Sequence, residues 1–225
     1  MKTANAFTLT RVVLAPVFFV VYFIPIWTGQ FAGISASVLI PLLAFMEFTD
    51  FLDGYFARRH KEVSDFGKMF DPFADVMVHL TTFTCFMTSY GPDIGRYLPP
   101  VIFILIVYRE FGMNFIRMVA AKKGTAIAAR KGGKLKTVFY VASGFVCLIP
   151  ECAVRLYYVK PGMTADFVTG QGIIANLVTV VVQNYPAWKT AALVMFIASL
   201  LLCYVSFIDY LVHFKSLLTN EKNKK

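Results

Sequence analysis

The chain has 225 residues, of which 58% are hydrophobic and 16% charged, and its formal net charge is +9. Soluble domains carry about 25% charged residues, so this composition excludes an ordinary soluble fold and indicates a membrane protein. In a membrane protein the excess of Lys and Arg is expected beside anionic membrane lipids and on cytoplasmic loops, and it gives no reason to expect a nucleic-acid partner.

Six apolar stretches are candidates for membrane spans, since a spanning helix needs about 20 mostly apolar residues. In chain order they cover residues 12–28, 33–52, 69–90, 98–121, 137–153 and 187–214. The sequence therefore predicts an all-α integral membrane protein with six transmembrane helices, forming a single domain over residues 1–225. A juxtamembrane segment, about 1–11, precedes the first span, and a polar tail, about 216–225, follows the last.

Along the chain, the segments that connect these spans are alternately rich in basic residues and poor in charge. The basic stretches are Lys2 and Arg11, then 58–61, 122–136 and 215–225, whereas the loops near 25–35, 91–97 and 154–186 carry few charges, Arg155 among them. With six spans every basic stretch falls on one face, which the positive-inside rule assigns to the cytoplasm. We therefore expect a multi-pass protein of the cell inner (cytoplasmic) membrane with both termini in the cytoplasm. The apolar stretch 167–183 in the last loop is a doubtful helix, because it is rich in Gly and β-branched residues.

Two pairs of aspartates lie at the edges of the second and third apolar stretches. Asp50 and Asp53 are three residues apart and Asp71 and Asp75 four apart, so each pair shares one face of a helix. Two consecutive helices can bring the four carboxylates into one small volume, where their mutual repulsion calls for a divalent cation. Oxygen ligands without a Cys or His pair favour Mg²⁺, Mn²⁺ or Ca²⁺, and two such ions about 3.5–4 Å apart are recurrent in phosphoryl transfer.

Glycine and arginine accompany these aspartates at ordered positions. Gly54 and Gly67 suit the close approach of a backbone or ligand, and Arg58 suits a phosphate. The whole set has the spacing D-x2-D-G-x2-A-R-x8-G-x3-D-x3-D, at Asp50, Asp53, Gly54, Ala57, Arg58, Gly67, Asp71 and Asp75. This pattern resembles the signature of the CDP-alcohol phosphatidyltransferase family.

The resemblance implies a six-helix membrane fold with a polar active-site cavity on the cytoplasmic side, and a homodimer. It implies CDP-diacylglycerol as the nucleotide-linked substrate, two divalent cations, Mg²⁺ or Mn²⁺, and release of CMP. Asp50, Asp53 and Asp71 would be metal ligands. Asp75 would be the catalytic base that deprotonates the acceptor hydroxyl, and a further metal ligand. Contacts to CDP would come from Asp50, Gly54, Ala57, Arg58 and Gly67.

The N-terminal stretch NAFTLTR, residues 5–11, resembles the N-x-x-T-x-x-R that opens many bacterial members of this family. Asn5 and Thr8 are therefore candidates for CDP binding. Local physics favours a helix-capping role for these two residues at least as strongly.

Four cations follow the fourth apolar stretch or lie within it. Arg109 and Arg117 are eight residues apart, about two turns along one helix face, and an arginine inside an apolar span usually faces a polar cavity. Lys134 and Lys136 are two residues apart, so only one of them, preferably Lys134, should point inward. The series resembles the phosphatidylglycerophosphate synthases of the family, whose acceptor is glycerol 3-phosphate, and cations suit such a phosphate. A structural pair of Arg109 with Glu110, and a basic rim around Arg117, are the alternative interpretations.

Two positions depart from the pattern of those synthases. Val76 follows the last aspartate where they usually have lysine, and Tyr140 stands where they tend to have glutamine. In this respect DPFADV, residues 71–76, is similar to phosphatidylserine synthases, so serine and inositol phosphate stay open as acceptors. A prenyl-transferring enzyme fits the second aspartate pair poorly. An ion-coupled membrane transporter is a distant alternative that predicts no release of CMP.

Overall fold

The computed structural model describes residues 3–60, 65–91, 95–122, 131–157 and 172–219, with side chains described except at 3–5, 53–60, 65–66, 68–69, 131–134 and 213–219. These residues form seven α-helices: α1 (Thr3–Thr28), α2 (Ala32–His60), α3 (Asp65–Cys85), α4 (Pro100–Lys122), α5 (Lys131–Tyr157), α6 (Ile173–Gln183) and α7 (Tyr185–Thr219). The predicted all-α class is confirmed over the described part of the chain.

Four of the helices are long and apolar enough to cross a membrane, over Ala6–Thr28, Ala32–Leu52, Leu135–Tyr157 and Tyr185–Val212. These segments belong to α1, α2, α5 and α7, and they make the chain a membrane protein by length and composition. The other two predicted spans coincide with α3 and α4, each of which contains four charged residues. A total of six spans therefore stays a prediction.

The predicted third span, 69–90, is wrong at its end, because α3 stops at Cys85. The N–H groups of Phe86 and Met87 donate to the carbonyl groups three residues back, as in a tightening turn. The carbonyl of Phe86 then accepts from the N–H groups of both Tyr97 and Leu98. The chain thus turns back after residue 86, and the next helix, α4, lies beside α3.

The loop predicted at 154–186 is also partly wrong. Arg155 lies inside α5, which continues to Tyr157, and Ile173–Gln183 forms α6 in the stretch that we expected to be a doubtful helix. Helix α6 packs against α5 through buried Ala175 and Val178, while Leu177 and other apolar side chains stay exposed on its outer face. In such an apolar setting a segment can pair its backbone groups only within itself, and this outweighs the weak helix propensity of β-branched residues.

The helices pack around a main apolar core, and a smaller apolar cluster of Met113, Ile116 and Tyr210 lies between α4 and α7. Helix α1 contacts α2 and α3, α2 contacts α5, and α7 contacts α4 and α5. Large buried side chains from five helices fill the space between them: Phe18, Tyr22, Leu39, Leu43, Phe83, Tyr140, Leu148 and Phe196. Helices α4 and α7 meet closely at Gly112, where an added Cβ would lie 2.9 Å from the ring of Phe207.

Buried charged side chains lie at both ends of this bundle. We call the end where α1 and α3 begin and α2 finishes the acidic end, because it carries Asp50, Asp71 and Asp75. The far end is where α1, α3 and α5 finish and α2 begins. On α1 the two ends are represented by Arg11 and Tyr22, about 16 Å apart along the helix axis.

Candidate active site

Two of the four predicted aspartates meet at one buried arginine of α1. The Nη1 atom of Arg11 lies 2.6 Å from Oδ1 of Asp50 and 2.8 Å from Oδ1 of Asp75. The arginine side chain is 2% exposed, whereas those of Asp50 and Asp75 are 37% and 40% exposed. Helices α2 and α3 thus bring carboxylates together as the spacing predicted, with a cation behind them and solvent access in front.

A third aspartate is held by the same helix. The hydroxyl of Thr8 donates to Oδ1 of Asp71 over 2.9 Å, and Thr8 is fully buried. Helix α1 begins at Thr3, so Thr8 lies inside it and the helix-capping interpretation is wrong for this residue. Residues Thr8 and Arg11 are three apart on one face of α1 and together hold the carboxylates of α3.

Several predicted residues lie where only the backbone is described. Helix α2 continues to His60 and so includes Asp53, Gly54, Ala57 and Arg58, but their side chains are outside the described part of the chain, as are those of Asn5 in α1 and Lys134 in α5. Gly67 is described and is buried in the first turn of α3.

Arg11, Glu47 and His79 belong to the acidic end but were not predicted as site residues. The Nδ1–H of His79 donates to the backbone carbonyl of Asp75 over 2.7 Å, and its Nε2 lies 3.9 Å from Oε1 of Glu47. Glu47 precedes Asp50 by three residues, and His79 follows Asp75 by four. Glu47 and His79 each lie one helical turn from a predicted aspartate, so helical spacing could have identified both of these residues. For Arg11 the signal was its place in the N-x-x-T-x-x-R stretch.

The donor set at this end fits a divalent cation. Within the described side chains, no group of three or more His, Cys, Asp and Glu is arranged to hold a metal ion, and Asp53 stands outside that set. However, the Asp50 and Asp75 carboxylates already converge on one positively charged group and are open to solvent. Carboxylate oxygens are the ligands that Mg²⁺ and Mn²⁺ prefer, so these residues suit such an ion.

A second polar cluster gathers two of the four predicted acceptor residues, Arg109 and Lys136, around one carboxylate. Oε1 of Glu110 accepts from Nη1 of Arg109, Nζ of Lys136 and the hydroxyl of Tyr140, each over 2.9 Å. The Nε–H of Arg109 donates to the carbonyl of Cys203 on α7. We call these five residues the Glu110 cluster; it ties α4, α5 and α7 together.

The placement of the four predicted acceptor cations differs from one residue to the next. Arg109 is buried and forms the pair with Glu110 that was the alternative interpretation. Lys136 reaches inward, although we had preferred Lys134. Arg117 is half-buried two turns further along α4 and makes no hydrogen bond to Glu110 within the described residues. The geometry therefore brings together Arg109 and Lys136, and not Arg117.

The acidic end and the Glu110 cluster are separated by a single layer of aromatic rings. The ring of Tyr140 lies 5.3 Å from that of His79, and Phe83 packs against both of them. Because His79 is bonded to Asp75 and Tyr140 to Glu110, the two clusters are immediate neighbours. The carboxylates of the acidic end and the cations of the Glu110 cluster are therefore adjacent across these rings.

A third cluster, the Glu151 cluster, lies at the far end and is closed. Oε1 of Glu151 accepts from Nε and Nη2 of Arg155 and from the N–H of Tyr90. Nη1 of Arg155 donates to Oγ of Ser35 over 2.6 Å, and its guanidinium lies 4.3 Å from the centre of the Tyr22 ring. Both charged side chains are 0% exposed, so this cluster offers no surface to a substrate.

A sequence model of the CDP-alcohol phosphatidyltransferase family matches residues 1–165, which include the acidic end and most of the Glu110 cluster. Members of this family generally use divalent metals. The matched stretch is well over half of the chain.

Individual relatives support this match. A protein of Treponema pallidum named CDP-diacylglycerol–glycerol-3-phosphate 3-phosphatidyltransferase is 34% identical over 187 residues, which are 80% of this chain and 82% of the relative. Proteins of the same name from Bacillus subtilis and Pseudomonas fluorescens are 32% and 30% identical, over 59% and 61% of this chain and 69% and 64% of their own lengths. With its ordered aspartates, its apolar helices and these relatives, the chain belongs to the CDP-alcohol phosphatidyltransferase family and is an enzyme of that type.

Proposed function

We propose that the protein transfers the phosphatidyl group of CDP-diacylglycerol to glycerol 3-phosphate, giving phosphatidylglycerophosphate and CMP. The observation that carries this proposal is the adjacency of the acidic end and the Glu110 cluster across one layer of rings. Such an arrangement suits an acceptor that has a hydroxyl to deprotonate and a phosphate to bind. The names of the relatives agree with this acceptor.

Asp50, Asp53, Asp71 and Asp75 would hold two divalent cations, Mg²⁺ or Mn²⁺. When bound, these ions neutralise the pyrophosphate of the substrate and the CMP leaving group. The role of the protein is to hold the carboxylates close to one another with access to solvent. Arg11 and Thr8 support this role, because they bond Asp50, Asp75 and Asp71 from behind.

Asp75 would be the catalytic base. Its carboxylate takes the proton of the acceptor hydroxyl as the oxygen attacks the lipid-bearing phosphorus in line, and the bond from that phosphorus to the CMP oxygen breaks. Two observations support this assignment: the Asp75 side chain is 40% exposed, and its helix is fixed by Arg11 and by the His79 bond to its backbone. A positioned base typically contributes about 10² to 10⁴-fold to the rate.

The CDP moiety would be bound next to these aspartates by the residues that the family pattern indicates: Asn5, Thr8, Asp50, Gly54, Ala57, Arg58 and Gly67. The backbone supports this assignment. Asp50, Gly54, Ala57 and Arg58 lie within neighbouring turns of α2, and Gly67 is buried at the start of α3. The lack of a side chain at Gly67 would let the nucleotide approach the backbone closely.

Arg109, Arg117, Lys134 and Lys136 would bind the acceptor phosphate. Lys136 has the strongest support, since its side chain is 16% exposed and its ammonium lies in the Glu110 cluster. The departure at Tyr140 is accommodated, because its hydroxyl is used to bond Glu110. Val76 is a buried apolar side chain, so the lysine usual at this position in the synthases has no charged counterpart here.

The protein would act in the cell inner membrane as a homodimer with six spans and both termini in the cytoplasm. Helix α2 ends at the acidic end with His60, α4 ends with Lys122 and α5 begins with Lys131, and these basic helix ends support a cavity open to the cytoplasm under the positive-inside rule. The homodimer rests on the family resemblance alone.

The proposal is tested by release of CMP from purified, detergent-solubilised protein with CDP-diacylglycerol and Mg²⁺. Glycerol 3-phosphate, serine and inositol phosphate are supplied separately, with a chelator as control. We expect release with glycerol 3-phosphate and loss of release on chelation. Release with serine alone would assign the acceptor that Val76 favours. An intact protein that releases no CMP with any of the three acceptors would favour the transporter.

A further inference from the structure

We propose that Glu110 is a positioning residue for the acceptor phosphate: it fixes Arg109 and Lys136 and thereby sets the affinity for glycerol 3-phosphate. This inference rests on the proposed function. Its basis is that a single oxygen of Glu110 accepts three hydrogen bonds of 2.9 Å from three different side chains.

The three donors come from two helices, and the cluster extends to a third. Arg109 is on α4 with Glu110, while Lys136 and Tyr140 are on α5. The remaining bond of Arg109 runs from Nε to the carbonyl of Cys203 on α7, and the Tyr140 hydroxyl contacts the sulfur of Cys203. Glu110 therefore fixes the relative positions of two cations that the sequence places 27 residues apart.

The net charge of the Glu110 cluster is positive, which favours the binding of an anion. One carboxylate faces two cations, so Arg109, Lys136 and Glu110 together carry one positive charge. The Arg109 and Glu110 side chains are each 4% exposed and Lys136 is 16% exposed, so the ammonium is the accessible cation. An ammonium has three N–H donors, and a bond to Glu110 is therefore compatible with a bond to a phosphate oxygen.

Glu110 also fixes the layer of aromatic rings between the proposed phosphate site and the proposed base, Asp75. Its bond to Tyr140 orients the ring that packs against His79, and His79 bonds the backbone of Asp75. Loss of the negative charge should free the Lys136 ammonium, while the bond from His79 still holds Asp75. We therefore expect an effect on acceptor affinity and little effect on the chemical step.

The test is a comparison of Glu110→Gln and Glu110→Asp with wild type by steady-state CMP release. Hydrogen bonds to a charged acceptor are stronger than those to a neutral one by roughly tenfold in binding. Glu110→Gln should therefore raise the KM for glycerol 3-phosphate about tenfold, leaving the KM for CDP-diacylglycerol and kcat within about twofold. Glu110→Asp keeps the charge, and its KM should lie between those of wild type and Glu110→Gln.

Glu151→Gln is the matched control, because Glu151 is also a buried glutamate paired with an arginine but lies at the far end. It should leave the KM for glycerol 3-phosphate unchanged. Equal KM values for Glu110→Gln, Glu151→Gln and wild type would overturn the inference while the proposed function stands. A wild-type enzyme that is inactive with glycerol 3-phosphate would overturn the proposed function, and the inference with it.

Tyr140→Phe provides a second variant if Glu110→Gln does not fold. It removes one of the three donors to Glu110 and keeps the ring against His79. A rise of about threefold in the KM for glycerol 3-phosphate is expected, since one hydrogen bond of three is lost. An unchanged KM would count against the positioning role.

Discussion

Glu110 and Glu151 are both buried glutamates that accept hydrogen bonds from an arginine of their own helix, yet their surroundings differ. Arg155 and Glu151 are fully enclosed by Ser35 and by the rings of Tyr22 and Tyr90. At Glu110 a second cation, Lys136, joins the pair and is in part exposed.

Under the proposed function, the difference separates a buried ion pair that serves structure, at Glu151, from one that serves binding, at Glu110. The Glu151 pair is neutral and closed, so its charges stabilise each other and join α1, α2 and α5. The Glu110 cluster has one uncompensated positive charge at an accessible position. Excess charge and exposure together, and not the presence of a buried ion pair, are what indicate a binding site.

The largest effect is expected at the acidic end, where Asp75→Asn keeps the shape of the side chain and removes the base. Turnover should fall by about 10² to 10⁴-fold, because a positioned base contributes that much. Binding of CDP-diacylglycerol should be largely retained. Release of CMP and binding of the labelled lipid nucleotide are the two measurements.

Asp209→Asn is the control for that substitution, because Asp209 is an exposed aspartate of α7, whereas the aspartates of the family pattern lie on α2 and α3. It should leave turnover unchanged. Turnover of Asp75→Asn at the wild-type rate would refute the assignment of the base.

At the far end the expected loss is in stability. Glu151→Ala leaves the Arg155 guanidinium buried without its partner, and breaking a buried pair in this way costs about 3–5 kcal/mol. The unfolding midpoint in detergent should fall by about 10 °C for a chain of this size. CMP release per folded molecule, assayed below that midpoint, should match wild type. A change in the KM for either substrate would show that the far end is not only structural.

Removing both charges of an ion pair gives a sharper comparison between the Glu151 cluster and the Glu110 cluster. Glu151→Leu combined with Arg155→Met replaces a closed ion pair by apolar side chains, which is often neutral or stabilising. The double variant should therefore unfold at a higher temperature than Glu151→Ala. The same exchange at Glu110 and Arg109 should keep the fold but remove saturation by glycerol 3-phosphate. Equal behaviour of the two double variants would refute the distinction between a closed and an open cluster.

The aspartates of the acidic end were predictable from the sequence because their spacing is local information. Asp50 is one turn from Asp53, and Asp71 one turn from Asp75, so helical periodicity alone assigns each pair to one face. The pattern of charge and hydropathy likewise predicted helices at all six apolar stretches, although not the end of α3 at Cys85.

The partners of buried charges were not predictable, because they are distant in sequence. Ser35 is 120 residues from Arg155, and Cys203 is 94 residues from Arg109. These contacts depend on how the helices pack, which local spacing does not specify. Arg155 was therefore predicted in a loop, and its partners Glu151 and Ser35 were not identified.

The smallest expected effect is that of Ser35→Ala, which tests how much the hydrogen bonds of Ser35 stabilise the far end. The hydroxyl of Ser35 accepts from Nη1 of Arg155 over 2.6 Å and donates to the carbonyl of Val21 over 2.8 Å, so it links α5 to α1 through α2. Ser35→Ala removes both bonds but leaves the pair with Glu151, and it should cost about 1–3 kcal/mol because a buried donor of Arg155 loses its acceptor. Thermal unfolding in detergent measures this loss, with Ser37→Ala, an exposed serine of α2, as control. An effect as large as that of Glu151→Ala would mean that the junction of the three helices, and not the charge of Glu151, holds the far end together.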